Sequence, residues 1–285
     1  MASRPRTAPV PRAPRAPWAR PAVADVRLYD GLFLRWMGRL EADLPMILEI
    51  ARQAKGRVIE LGVGGGRVAI ALAREGITVT GVDNAPALLR ACGERLREEP
   101  RAVRARVTLV AGDLRRFRLP RGPRFRLALL PFNTLMHFPT LADQDKVIAG
   151  AAKALGPDGW LWISLFNPDT HRPLGVVRAE PSPLAGEAPG LPGSRTEAFF
   201  QQRIDAARQV TMARYWLDTV GTDGLVHRES LELELRWFHR FEVERLLAKH
   251  GFVVQHVFGD FDGSDYVDGC PQLIVLARKA KRGRG

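Results

Sequence analysis

The sequence predicts an α/β chain: a doubly wound, mostly parallel seven-stranded sheet, with an antiparallel β insertion ahead of the last helix and strands. Three observations carry that prediction. Strand-like and helix-like segments alternate up to residue 166. The strand segments are near-continuous apolar runs, as a parallel sheet covered on both faces requires. A different pattern then interrupts the chain: Leu231-Glu-Leu-Glu-Leu-Arg-Trp237 alternates strictly, which gives a strand one wet face and one covered face.

Before the first strand, residues 25–54 carry apolar side chains at helical spacing (Val26, Leu32, Trp36, Leu40, then Leu44, Ile47, Leu48), predicting two helices. Arg57 to Leu61 is a short apolar strand that runs into glycines, and a helix through Val68, Leu72 and Ala73 stops at Gly76. Ile77 to Val82 is β-branched and reads as the second strand, ending at Asp83. Pro86 to Glu98 sets Leu88, Leu89, Cys92 and Leu96 on one helical stripe. Val107–Val110 and Phe125–Leu130 are the third and fourth strands, the helix Asp143–Leu155 ends at Gly156-Pro157, and Trp160–Phe166 is the fifth strand. Residues 168–195, rich in proline and glycine, predict an irregular surface connection. Gln209–Leu217 and Ser230–Phe238 are strand-like, with a turn cluster at Gly221–Gly224 between them, and form the predicted insertion. The α/β pattern returns with the helix Glu242–His250 and strands at Phe252–Phe258 and Leu273–Leu276.

This divides the chain into a leader over 1–22, a main domain over 23–168 and 240–279, a connection with the β insertion over 169–239, and a basic tail over 280–285. The net charge of +12 belongs to the ends. Residues 1–22 hold five arginines, six prolines and no acid, and residues 278–285 hold five further cations, leaving +2 for residues 23–277. A leader so rich in proline predicts disorder, and dense prolines spoil the amphipathic helix of a transit peptide. A nearly neutral body does not call for a polyanion, so nucleic acid is not the expected partner, although basic tails favour one. No apolar run is long enough to cross a membrane, and no secretory signal is present, so the expected location is the cytoplasm. Cys92 and Cys270 stand far apart and form no metal-ligand spacing; both read as packing residues, and no metal site is expected.

The chemistry concentrates after the first strand. Glycines between a strand and a helix let the backbone turn tightly, approach a ligand and aim helix N–H groups at it. Here Gly62, Gly64 and Gly66 are spaced G-x-G-x-G, and Glu60 lies two residues before the first of them. Asp83 closes the second strand, where doubly wound folds place a carboxylate for ribose hydroxyls; Asp83-Asn84 ahead of Pro86 also suits a helix N-cap. Gly112-Asp113-Leu114 follows the third strand. After the fourth comes Leu130-Pro-Phe-Asn-Thr-Leu-Met-His-Phe138, at the carboxyl edge where open α/β sheets bind ligands. His137 has the chemistry of a proton acceptor near neutral pH, its plainer alternative being a histidine buried for packing.

An acidic residue followed by G-x-G-x-G resembles the first motif of the class I, Rossmann-like methyltransferases that use S-adenosylmethionine. That resemblance places Glu60 near the cofactor's amino group, Gly62, Gly64 and Gly66 beneath its methionine and ribose, Asp83 at the ribose hydroxyls, and Gly112-Asp113-Leu114 at the adenine. Asn84, next to Asp83, counts with the cofactor contacts, and Phe132, at the carboxyl edge, reads as flanking the cofactor. Phe132-Asn-Thr-Leu, Leu165-Phe-Asn-Pro-Asp169 and Gly259-Asp-Phe-Asp-Gly263 are similar to bacterial small-molecule enzymes of that group, such as amino-sugar and glycine N-methyltransferases. Tyr29-Asp30 resembles their N-terminal helix that folds over the cofactor, making Tyr29 a candidate beside His137. Asn133, Arg236 and His239 are the candidate acceptor contacts. The expected activity is methyl transfer to nitrogen or oxygen of a small organic acceptor by in-line displacement. The alternatives are an RNA or protein methyltransferase, against which the missing Asn/Asp-Pro-Pro-Tyr motif counts, and an inactive cofactor-binding relative whose insertion is an oligomer interface. A homodimer through the insertion is the expected assembly.

Overall fold

Side-chain alternation sorts the central strands between two cores. In β1 (Val58–Leu61), Ile59 and Leu61 join the core that includes Ile148 and Val243, while Val58 joins the core that includes Ile47 and Leu72. Period-2 alternation therefore turns Glu60, the residue between Ile59 and Leu61, to the Val58 side. The computed structural model describes residues 42–119, 122, 124–168, 177–181 and 195–280. Tyr29, the basic leader, the first expected helix and the last five residues lie outside them.

The elements run α1 (Leu44–Ala54), β1, α2 (Arg67–Arg74), β2 (Val79–Asp83), α3 (Pro86–Glu98), the single turn α4 (Arg101–Arg104), β3 (Val107–Ala111) and β4 (Phe125–Leu130). A 3₁₀ turn over Thr134–His137 leads to α5 (Leu141–Ala154) and β5 (Leu155–Phe166). Four strands follow: β6 (Val177–Pro181), β7 (Arg195–Asp205), β8 (Val210–Val220) and β9 (Val226–Arg236). The chain closes with α6 (Arg240–Lys249), β10 (Phe252–Phe258) and β11 (Gln272–Lys279).

The main sheet has seven strands in the order β10-β11-β5-β4-β1-β2-β3. Neighbours are parallel from β3 through β5, and β11 runs antiparallel to both β5 and β10. The order reverses between β1 and β4, which sets a ligand crevice above their carboxyl ends. Helices α1 and α2 cover one face through Ile47, Ala51, Val68 and Leu72; α5 and α6 cover the other through Val147, Ile148, Val243 and Leu247. Thr140 caps α5 by accepting the Asp143 N–H at 3.2 Å. Cys92 and Cys270 are buried thiols.

The insertion is a separate antiparallel sheet in the order β6-β7-β8-β9. It holds two more strands than its alternation predicts. β6 lies inside the expected irregular connection, and β7, Arg-Thr-Glu-Ala-Phe-Phe-Gln-Gln-Arg-Ile-Asp, has no clear alternation of its own. Its register comes from eleven paired positions with β8, Phe199 opposite Trp216 among them. Trp237 and Phe238, just beyond β9, belong to the main core, so the insertion is anchored where it rejoins the domain.

Candidate active site at the carboxyl edge of the sheet

The loop between β1 and α2 is shaped by glycine. Gly64 takes φ +52°, and a Cβ built on it would point into open space, so the position is chosen for its backbone and leaves the crevice clear. Gly66, the N-cap of α2 at φ +87°, has no room for a side chain, because a Cβ there would collide with the Cys92 sulfur. The cysteine thus packs against the underside of the loop.

Asp83 ties that loop to β2. Its Oδ2 accepts the Gly64 N–H at 2.9 Å and its Oδ1 accepts the Ala85 N–H at 2.9 Å. Burial pushes its carboxyl above the usual range, opposed by hydrogen bonds from Ala85, Gly64 and Asn84. The N-cap of α3 is Ala85, which makes no side-chain cap, so the carboxylate shapes the turn ahead of the helix without capping it.

Glu60 is 2% exposed and lies on the α1 side of the sheet. Its Oε2 is buried with no hydrogen-bond partner. Burial pushes its carboxyl up to about 8, with Arg67 pulling it down and Asp43 and Asp83 raising it further. Asp43 and Arg67 form a bidentate pair at 2.6 and 2.7 Å, Asp43 being 3% exposed. Neither belongs to a recognisable motif; the available signal was an acid just ahead of one helix and an arginine opening the next.

Asp113 is more committed than its motif implies. Its Oδ1 accepts from the Arg115 N–H and Nε at 2.9 Å, and its Oδ2 accepts from Arg115 Nη2 at 2.6 Å. The Arg115 hydrogen bonds hold its carboxyl below the usual range. Leu114, next to it, is buried in the core.

Beyond β4, Phe132 and Asn133 take φ of +49° and +63°, two successive left-handed residues that are not glycine. Such conformations persist only where the surroundings fix them. Here the Phe132 N–H donates to Ser164 Oγ at 2.9 Å, the Asn133 N–H to the Ser164 carbonyl at 3.0 Å, and Asn133 Oδ1 accepts the Phe166 N–H at 2.7 Å. Asn133 is 6% exposed, so its amide oxygen is spent on tying β4 to β5. The Phe132 and Phe166 rings meet edge to face at 6.3 Å. His137 ends the 3₁₀ turn half-buried, and loss of hydration pulls its pKa down to about 4.

Arg236 and His239 stand apart from this group, in architectural roles. Arg236 is 7% exposed; its Nη2 donates to Glu242 Oε1 at 2.8 Å and Gln209 Oε1 at 3.1 Å, and its guanidinium lies 4.8 Å from the Phe238 ring centroid. His239 is the N-cap of α6 in a reciprocal capping box with Glu242. Both join the insertion to the domain. Strand β9 also packs beside the 3₁₀ turn that carries His137, which brings the insertion to the rim of the crevice.

Among the described residues no group of three or more His, Cys, Asp or Glu could hold a metal ion, and no helix is long and apolar enough to cross a membrane.

Residues 58–159 match a family model described as a methyltransferase domain. The chain is 23% identical to the putative methyltransferase YqeM of Bacillus subtilis over 261 residues, 91% of this chain and 96% of the relative. It is similar to the structure of CalS10, an amino pentose methyltransferase from Micromonospora echinaspora, with a TM-score of 0.64, 22% identity, and coverage of 88% and 94% of the two chains. It is also similar to the sugar N-methyltransferase KedS8 from Streptoalloteichus, with a TM-score of 0.68, 15% identity, and coverage of 99% and 100%. The class I, Rossmann-like resemblance drawn from the glycine loop is borne out by this match and this fold.

Proposed function

We propose that the chain is an S-adenosylmethionine-dependent methyltransferase whose acceptor is a small organic molecule, methylated on nitrogen or oxygen. The observation that carries the reading is Glu60, a carboxyl buried behind the glycine loop with one oxygen unpartnered. An unpaired buried polar atom is costly, and a ligand cation is the partner that removes the cost. The methionine ammonium is such a cation. Asp83 keeps acceptor capacity beyond its bonds from Gly64, Ala85 and Asn84, which suits ribose hydroxyls, and Gly64 leaves the crevice clear. The residues fit the cofactor.

When bound, S-adenosylmethionine supplies an electrophilic methyl group on a sulfonium. The chain's own work is then alignment and exclusion of water rather than proton transfer. Phe132 and Asn133, held by the bonds from β5, and Leu114, in the turn closed by Asp113 and Arg116, define the floor in this reading. His137, neutral at pH 7 with a pKa of about 4, accepts a hydrogen bond from an acceptor N–H or O–H and orients it; it is a weak base. The insertion closes the acceptor side, and its tip, with Leu225 61% and Val226 59% exposed, is the surface through which a homodimer would form.

The amino pentose and sugar N-methyltransferases among the similar structures support a small polar acceptor over a macromolecule. The test is transfer of labelled methyl from S-adenosylmethionine to a panel of amino sugars, other amines, phenols and RNA, with calorimetric binding of S-adenosylhomocysteine in parallel. Label on a small amine or hydroxyl is expected. Label on RNA alone, or no binding of S-adenosylhomocysteine, overturns the reading.

A further inference from the structure

The face of the sheet that carries α5 is incompletely covered. In a doubly wound fold the β3-to-β4 connection ordinarily contributes a helix to one face. Here no described residue between Gly112 and Arg124 is helical. Phe117 covers part of the gap, lying against Gly112 and Gly150. Towards the amino ends of β2 and β3 the gap is a cavity of about 860 Å³. Its floor is polar: Thr80 and Thr108, register neighbours on adjacent parallel strands, stand where apolar side chains would seal a covered sheet.

Its charge is one-sided. Arg57, Arg118, Arg124 and Lys153 line the cavity, and no carboxylate is among its described lining residues. Two of the cations are held in place: the Arg57 guanidinium lies 5.0 Å from the Phe125 ring centroid, and Arg124 donates to the Lys153 carbonyl. Fixed guanidiniums bind oxyanions with less ordering cost than free ones. The cavity opens at the amino edge of the sheet, whereas Gly64, Asp83 and Asn133 lie at the carboxyl edge, so neither methyl donor nor acceptor accounts for it. Its volume exceeds what one phosphate group fills and lies in the range of small-molecule sites. The Phe117 ring offers an apolar wall to an organic moiety.

We propose that this amino-edge cavity is a second ligand site, for a phosphate-bearing organic anion of nucleotide size. The cations take the phosphate oxygens, the threonine hydroxyls add neutral hydrogen bonds, and Phe117 packs against the organic part. The claim is independent of the methyl-transfer reading.

The experiment is calorimetric titration of the full chain with ATP, inorganic phosphate and a short single-stranded RNA, repeated in the Arg124→Gln/Lys153→Gln variant. Both substituted side chains are exposed, so the variant should fold. ATP is expected to bind the parent chain, to keep binding when S-adenosylhomocysteine is saturating, and to lose about tenfold in affinity in the variant. S-adenosylhomocysteine affinity should stay within about twofold, which also certifies the fold. The proposal is overturned if ATP fails to bind at about 1 mM, if the variant binds it unchanged, or if S-adenosylhomocysteine displaces it. Inorganic phosphate binding as tightly as ATP, or RNA binding where ATP does not, would overturn it equally.

Discussion

Delivering an ammonium group to Glu60 should expel a proton. With its carboxyl at about 8, Glu60 is about nine-tenths protonated at pH 7. An opposite charge within about 4–6 Å lowers a carboxyl pKa by about 1–3 units, enough to ionise it. Binding of S-adenosylhomocysteine at pH 7 should therefore release up to about 0.9 proton. The assay is calorimetry in buffers of different ionisation enthalpy, where the slope of observed enthalpy gives the number of protons exchanged. Affinity should rise by up to about tenfold per pH unit as pH climbs towards 8 and level off there. Glu60→Gln keeps the shape, removes the ionisation, and should abolish both slopes while weakening binding. The same carboxyl makes the ligand-free protein less stable as pH rises from 4.5 to about 8, because the folded state keeps a proton that the unfolded state has lost. No buffer dependence together with pH-independent affinity in the parent chain would refute the assignment of Glu60 to the ligand's cation.

Four further outcomes follow from the geometry. Arg67→Ala strands the buried Asp43 carboxylate and should destabilise the fold by about 3 kcal/mol in urea unfolding; unchanged stability would show that the pair is inert. Asp83→Asn keeps one acceptor oxygen and sets a donor against either the Gly64 or the Ala85 N–H, so S-adenosylhomocysteine affinity should fall by about 10- to 100-fold. Burial raises the Glu242 carboxyl, but hydrogen bonds from His239, Gln209 and Arg236 outweigh it and hold it below its ordinary value. Its contribution is present at neutral pH and lost as pH falls through that lowered pKa, so Glu242→Gln should be less stable than the parent at pH 7 and flatten the acid limb of stability against pH. His137 should give no inflection between about pH 5.5 and 8 in turnover, because it is already neutral there; an inflection near 6.5 that vanishes in His137→Asn would restore it as a base.

The elements whose side chains sort by period were legible in the sequence. The strand–loop–helix at Val58–Arg74 and the strand ending at Asp83 appear as predicted to within two residues, because apolar runs, glycines and a terminal acid are local signals. Strands β6 and β7 were not, because β7 owes its register to pairing with β8, a tertiary fact. The 3₁₀ turn at Thr134–His137 was equally hidden. It follows from left-handed Phe132 and Asn133, and nothing in Pro-Phe-Asn-Thr marks them beyond the tolerance of asparagine for positive φ. Arg236 and His239 read as acceptor contacts because they are polar near the return to the core. The positions of Gln209 and Glu242 add what the sequence hides: they engage Arg236 Nη2 and the His239 N–H, while Arg236 Nη1 stays buried without a partner.

Asp113 extends the point to the carboxyl edge of the sheet. Its motif position suggests a carboxylate offered to a ligand, yet Arg115 brackets both oxygens and also reaches Asp143 at 3.4 Å, at the start of α5. Three N–H bonds at 2.6–2.9 Å hold that carboxylate in place. What it does is fix the turn over residues 113–116, where the Arg116 N–H closes on the Asp113 carbonyl at 2.8 Å. The Leu114 backbone is held by that turn. Under the proposed function, acceptor choice then falls to the rim where β9 packs beside the 3₁₀ turn that carries His137.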